Sequence, residues 1–188
     1  MGNLYAVALA GLETIKNPDG SFNKFSSTFM NNIRTWKVDH PKDTVEIVDA
    51  RVFHSEPLPM SAVWAHLRGI SSKRPIDILL YSGHSGSTQL YFFSKVRKEL
   101  AEEERYFCMT DNWEGVHFSP KAEIRLWGCQ TGGERGVKFD TCIAQSIANK
   151  TKVPTWGFVS KCSQQFRNKG FYQIPDIGGA VKFIPKEG

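Results

Sequence analysis

The chain has 188 residues, 40% hydrophobic and 23% charged, which excludes a disordered polymer, and no run of about 20 apolar residues is present to span a bilayer. Its 24 basic and 19 acidic residues leave a charge of +5, spread along the chain, so no dedicated nucleic-acid stripe and no membrane partner are expected. At this length one domain, residues 1–188, is expected, large enough to bury about 70% of its unfolded surface without a metal or disulfide staple.

Leu4 to Leu12 reads as a first strand, ended by the turn chemistry of Asn17-Pro18-Asp19-Gly20. It has neither the preceding positive charge nor the small-x-small site of a secretory leader. Phe22, Phe25, Phe29, Ile33 and Trp36 recur at three- and four-residue steps, which predicts an amphipathic helix with Ser21 as its cap. Thr44 to Phe53, rich in Val and Ile, predicts a second strand. Pro57 and Pro59 open a helix with Val63, His66, Leu67 and Ile70 on one face. Pro75 to Tyr81 is a third strand, stopping at Ser82-Gly83-His84-Ser85-Gly86, and a charged helix is predicted over Ser94 to Arg105. Ala122 to Trp127 is a fourth strand, stopping at Gly128-Cys129-Gln130-Thr131-Gly132-Gly133. Phe139, Ile143 and Ile147 mark the next helix, Val153 to Ser160 a fifth strand, and Gly178 to Ile184 a last one. This rhythm predicts an α/β fold, a three-layer α/β/α sandwich on a mostly parallel central sheet.

Sites in open parallel sheets form at the carboxyl ends of the strands. Two apolar strands here end in a reactive residue within a Gly-rich loop, His84 and Cys129. Neighbouring strands would bring their tips within about 5 Å. A thiol with pKa near 8.5 needs a base to become the nucleophilic thiolate. An imidazole can take that proton and return it to a leaving amine. A helix dipole would assist at the sulfur if the loop after Cys129 were short. The backbone N–H groups of Cys129 and of Ser85 or Gly86 are the natural donors to a developing oxyanion.

Four cysteines, Cys108, Cys129, Cys142 and Cys162, form no CxxC pair, which points to free thiols in a reducing, cytoplasmic setting. Cys108 and Cys142 read as structural, and Cys162 as a spare candidate near the same sheet edge. His40, His54, His66 and His117 lack a strand-end context. Cys108, His117 and Cys162 fit no metal-ligand spacing, so no metal is expected.

The motifs Ile78 to Gly86 and Ile124 to Gly132 resemble the His and Cys motifs of the caspase-like (clan CD) cysteine peptidases. Within the clan, Gly-Cys followed by a polar loop and a helix is similar to the self-cleaving cysteine protease domains of large bacterial toxins. The element order is similar from about Leu4 to Ser160, and the specific part is roughly twenty residues. The separation of 45 residues between His84 and Cys129 fits the spacing of about 50 in caspases. The resemblance implies a caspase-like fold and a thiol protease hydrolysing peptide bonds, with Cys129 as nucleophile and His84 as general acid/base. It further implies protein or peptide substrates, self-processing, and no cofactor. By analogy with basic-specific members, Glu13 and Asp49 are candidates for acidic elements of the substrate pocket. Two departures stand out: Ser85 intervenes between His84 and Gly86, where the family usually has Gly directly after His, and the caspase Gln-Ala-Cys-x-Gly signature is not reproduced.

Two other classes of function compete. Gly83-His84-Ser85-Gly86-Ser87 could be a nucleophile elbow with Ser85 attacking, although the motif wants Gly at position 87. Gly128 to Gly136 joins a strand to a helix and could cradle a phosphate in a non-catalytic, peptidase-like module.

Overall fold

The computed structural model describes residues 3–11, 25–93, 99–133, 141–159 and 180–186. Strand β1 (Tyr5–Ala10) is buried along its whole length, as a strand covered on both faces must be. Tyr5, Val7 and Leu9 enter one core, and Ala6, Ala8 and Ala10 enter another, the period-2 alternation of a strand. Helix α1 (Phe25–Asp39) lies on the alanine face through Ile33 and Trp36. The Trp36 indole donates to Asp43 Oδ2 at 3.0 Å, tying the helix end to the next turn. Ser21 and Phe22 lie outside the described residues, as do the side chains of Phe25 and Phe29.

Strand β2 (Thr44–Asp49) pairs parallel with β1. It stops short of Phe53, where the sequence pattern would carry it. Asp49 accepts from the Arg51 N–H at 2.9 Å and caps the short helix α2 (Ala50–Phe53); a side chain that captures a backbone donor ends the strand despite the apolar residues that follow. Helix α3 (Pro59–Lys73) opens on proline, whose missing N–H is harmless there. It buries Met60, Val63, Trp64, Leu67 and Ile70 against the Tyr5–Val7–Leu9 face.

Strand β3 (Ile76–Ser82) follows. After it, β4 (Gln89–Leu90) and β5 (Phe107–Cys108) form a two-stranded antiparallel ribbon that no periodicity announces. Edge-to-face contacts of Trp64 with Phe107 (5.0 Å) and with Trp113 (4.9 Å) fasten the ribbon and the following loop onto α3. The charged helix expected over Ser94 to Arg105 is, in its described part, a single 3-10 turn at Glu102–Glu104 with no buried residue. Without an apolar stripe nothing holds a longer helix there. Ser94 to Lys98 lie outside the described residues.

Strand β6 (Phe118–Trp127) begins earlier than Ala122, helix α4 (Ile143–Thr151) packs on the α3 side, and β7 (Thr155–Phe158) and β8 (Ala180–Phe183) complete the order. Phe139, which the pattern places in the helix, lies outside the described residues. The six-stranded sheet runs β2-β1-β3-β6-β7-β8, parallel except that β8 is antiparallel to β7. With α1 on one face and α3 and α4 on the other, this is an α/β sandwich of three layers. Among the described residues no helix is long and apolar enough to cross a membrane.

The alanine face sets how closely α1 approaches the sheet. Ala8→Leu, at a fully buried position facing Ile33 and Trp36, should destabilise the fold by about 1–3 kcal/mol through overpacking. Urea denaturation checks the expectation.

Candidate active site

Strands β3 and β6 are parallel neighbours in the middle of the sheet, and Ser82 and Trp127 are partners on their last rung. His84 and Cys129 each come two residues later. Both loops therefore leave the same rim, at the carboxyl ends of the strands.

Loop 83–87 is tied to the cysteine side at alternate residues. The Gly83 N–H reaches the Trp127 carbonyl at 3.5 Å, a long contact. The Ser85 hydroxyl donates to the Cys129 carbonyl at 2.6 Å. The Ser87 carbonyl accepts from the Ile143 N–H at 2.7 Å. Within the loop, the His84 carbonyl accepts from the Tyr81 hydroxyl at 2.5 Å and from the Tyr91 N–H at 2.9 Å. The main chain at His84 is thus gripped by two donors. Glycine is required where these groups crowd: a Cβ on Gly83 would sit 2.5 Å from Tyr81 Oη, and one on Gly128 only 2.1 Å from Ser85 Oγ.

Cys129 is half-buried and packs against Trp127 and Phe158, whose rings meet edge to face at 5.4 Å. The His84 Nε2 is shielded from solvent. Gln130, next to Cys129, takes φ +59°, a left-handed conformation that costs a residue other than glycine about 1–2 kcal/mol. Conformations held against such a cost concentrate at functional sites.

Thr131, fully buried, is the knot behind the cysteine. Its hydroxyl lies 3.2 Å from the Leu126 carbonyl and 3.3 Å from the Gly128 carbonyl, and accepts from the Phe158 N–H at 2.9 Å. In a planar trans peptide the C=O and the following N–H point opposite ways. With the Gly128 carbonyl turned to Thr131, the Cys129 N–H is therefore turned away from it.

Of the three expected oxyanion donors, Gly86 is already committed. Its N–H donates to the Gln89 carbonyl at 3.0 Å, closing the turn that bridges Ser85 and Leu90. Among the described residues, the N–H groups of Ser85 and Cys129 have no acceptor. Helix α4 begins at Ile143, and residues 134–140, between it and the cysteine loop, lie outside the described residues. Its first amides, of Ile143 and Ala144, donate to the carbonyls of Ser87 and Thr131. The helix braces both loops.

Asp49 stands on the same carboxyl rim, level with Ala10 and Ser82 across the register, but to the side of the His84 and Cys129 loops. It closes β2, two strands from β3, about 10 Å at the usual strand spacing. Its carboxylate is engaged by the Arg51 guanidinium. Glu13 and Cys162 lie outside the described residues. His66 sits on α3 with its Nε2 3.5 Å from Glu46 Oε1, and among the described residues no group of three His, Cys, Asp or Glu side chains is arranged to hold a metal.

The other described thiols are held differently. Burial, reinforced by Asp111, Glu102 and Glu103, pushes the Cys108 thiol up to about 11, and Cys142 is buried at the start of α4. Sequence reasoning missed Tyr81 and Thr131. Their signals were present as a hydroxyl ending the apolar run Ile78-Leu79-Leu80 and a threonine set between glycine-containing turns. No protein-family profile matches the chain, and no curated protein matches it.

Asp111 lines a polar cavity of about 570 Å³ with Thr110, Asn112 and Lys150. Burial pushes its carboxyl up to about 6 from an ordinary 3.8, against the opposing pull of the Cys108 N–H and Lys150. A raised value means that the folded state binds the proton more tightly, so the stability it contributes is full below about pH 4 and lost as pH rises through about 6. Asp111→Asn should flatten this slope between pH 4 and 6. Denaturation midpoints measured across that window test it.

Proposed function

We propose that the chain is a caspase-like cysteine endopeptidase with Cys129 as nucleophile and His84 as general acid/base. One observation carries the reading: the two loops leave adjacent parallel strands at the same level and are joined by the 2.6 Å bond from Ser85 to the Cys129 carbonyl. The glycines that crowd there, the strained Gln130 beside the cysteine and the unengaged Ser85 and Cys129 amides support it.

In this chemistry His84 accepts the Cys129 thiol proton, and the thiolate sulfur attacks the peptide carbonyl carbon. The carbonyl electron pair moves onto oxygen, where the Cys129 and Ser85 N–H groups can stabilise it. Collapse expels the amine, which takes its proton from the imidazolium, and leaves a thioester. Water, deprotonated by His84, then hydrolyses the thioester and restores the thiol. No cofactor enters the balance. Protein or peptide substrates, self-processing and a reducing, cytoplasmic setting belong to the same proposal; Cys108, Cys129 and Cys142 are free thiols.

The alternatives have weaker support. A serine nucleophile at Ser85 would need its proton taken by a base, whereas that hydroxyl is engaged to the Cys129 carbonyl. A phosphate cradle over Gly128 to Gly136 would need free amides, and those of Gly132 and Gly133 are bonded to the Phe158 and Gln130 carbonyls, while residues 134–136 lie outside the described residues.

A peptide-library digest by the purified chain tests the reading. Cys129→Ala and His84→Ala should each lower the cleavage rate by about a thousandfold or more, with the circular dichroism spectrum retained. Cleavage that continues at the original rate after Cys129→Ala would sink the assignment.

A further inference from the structure

Dyad chemistry alone leaves the side chain at position 85 without a task. We propose that Ser85 is a positioning residue whose hydroxyl fixes the spacing between the His84 loop and the Cys129 loop, and so sets proton transfer between them. The inference rests on the Cys129–His84 assignment.

A main-chain contact and a side-chain hydrogen bond near the dyad join the two sides. The Gly83–Trp127 contact is 3.5 Å long, while the Ser85–Cys129 bond is 2.6 Å. The short bond is the stronger constraint. The cysteine side is built to receive it, because a Cβ on Gly128 would fall 2.1 Å from Ser85 Oγ and 2.9 Å from Ser85 Cβ. On the histidine side, the residue bonded to Ser85 is His84 itself, its carbonyl gripped by Tyr81 and Tyr91. A stiff segment pinned at Ser85 carries His84 with it.

The two peptides flanking Cys129 are each held by a hydroxyl, but from different segments. Thr131 reaches the Gly128 carbonyl from within the cysteine loop. Ser85 reaches the Cys129 carbonyl from the histidine loop, just before the left-handed Gln130. Of these two hydroxyls, only the one on Ser85 couples one loop to the other. Proton transfer between heavy atoms needs an approach of about 2.6–3.2 Å, and a misplacement near 1 Å costs about a hundredfold in rate. A strut one residue from the imidazole therefore acts on kcat and on thiolate formation, and leaves substrate affinity alone.

The test uses the full chain and iodoacetamide, which reports the Cys129 thiolate without any substrate. Ser85→Ala should lower the Cys129 alkylation rate at pH 7 by roughly tenfold, a partial loss of the positioning effect, and move the rate–pH midpoint upward. In peptide cleavage it should lower kcat with KM unchanged. Ser85→Thr, which restores the hydroxyl, should return the wild-type pH profile. Gly128→Ala provides a second route, because its methyl displaces the Ser85 hydroxyl while leaving serine in place; it should reproduce the Ser85→Ala profile and add little in the Ser85→Ala background. A reactive wild-type Cys129 whose profile is unmoved by Ser85→Ala overturns the positioning role and leaves the dyad standing. So does a folded Ser85→Thr that stays as slow as Ser85→Ala. If the wild-type Cys129 is instead no faster than the other thiols, or is indifferent to His84→Ala, the dyad itself fails and this inference fails with it.

Discussion

The parallel pairing of β3 with β6, in one continuous register from Ile78 and Glu123 to Ser82 and Trp127, is the constraint on which the rest of the structure depends. Leu80 faces Arg125, Tyr81 faces Leu126 and Ser82 faces Trp127 along that ladder. Toward the rim both faces of the pair are largely buried, so a one-residue slip would move every side chain to the opposite face. Tyr81 belongs to the core under α3, the position from which its hydroxyl reaches the His84 carbonyl. Trp127 belongs to the opposite face, where it and Phe158 support Cys129. Core packing and loop placement are therefore one requirement. A mutation that loosens the register acts on both.

Beyond the last rung the loops are held by neutral hydroxyl–carbonyl bonds. Tyr81 and Ser85 each make one, to His84 and Cys129, and the Thr131 hydroxyl is shared between the Leu126 and Gly128 carbonyls. Such a bond contributes only about 0.5–1.5 kcal/mol net, but removing one partner strands a shielded carbonyl at a larger cost. Ion pairs lie elsewhere on the sheet. Burial alone would raise the Glu123 carboxyl, yet Arg125 and Lys182 outweigh it and hold it below the usual range. For the proposed Cys129–His84 dyad neutral struts would be suitable, because a fixed charge in the strut would bias the proton transfer between thiol and imidazole.

Much of this was legible in the sequence because buried parallel strands read as near-continuous apolar runs. Tyr5 to Ala10, Ile76 to Ser82 and the end of β6 all carry that signal, and the Gly-rich stops after β3 and β6 marked the rim. What failed to show depended on bonds that cross the chain. Asp49 ends β2 by capturing the Arg51 N–H, which Val-rich composition cannot reveal. The β4–β5 ribbon is too short for a period and exists because aromatic side chains seat it on α3. Gly86 looked available as a donor, since only the fold shows its amide bonded to Gln89. Thr131 sits in a turn where threonine is ordinary, and its three partners come from β6, the following turn and β7.

Ser85 and Cys129 also show why a motif matched by letters has to be read by dihedral angles and acceptors. Gly83 to Ser87 comes near a nucleophile elbow, in which the turn strains the serine and thrusts its hydroxyl outward. Here Ser85 is in an antiparallel bridge with Leu90, and its hydroxyl is turned onto the end of the neighbouring strand. Among the described residues, the non-glycine positions with positive φ are Gln130 and Lys152. Lys152 caps α4, whereas Gln130 directly follows Cys129. The backbone cost is thus carried on the cysteine side of the rim, and the serine contributes a strut to hold it there.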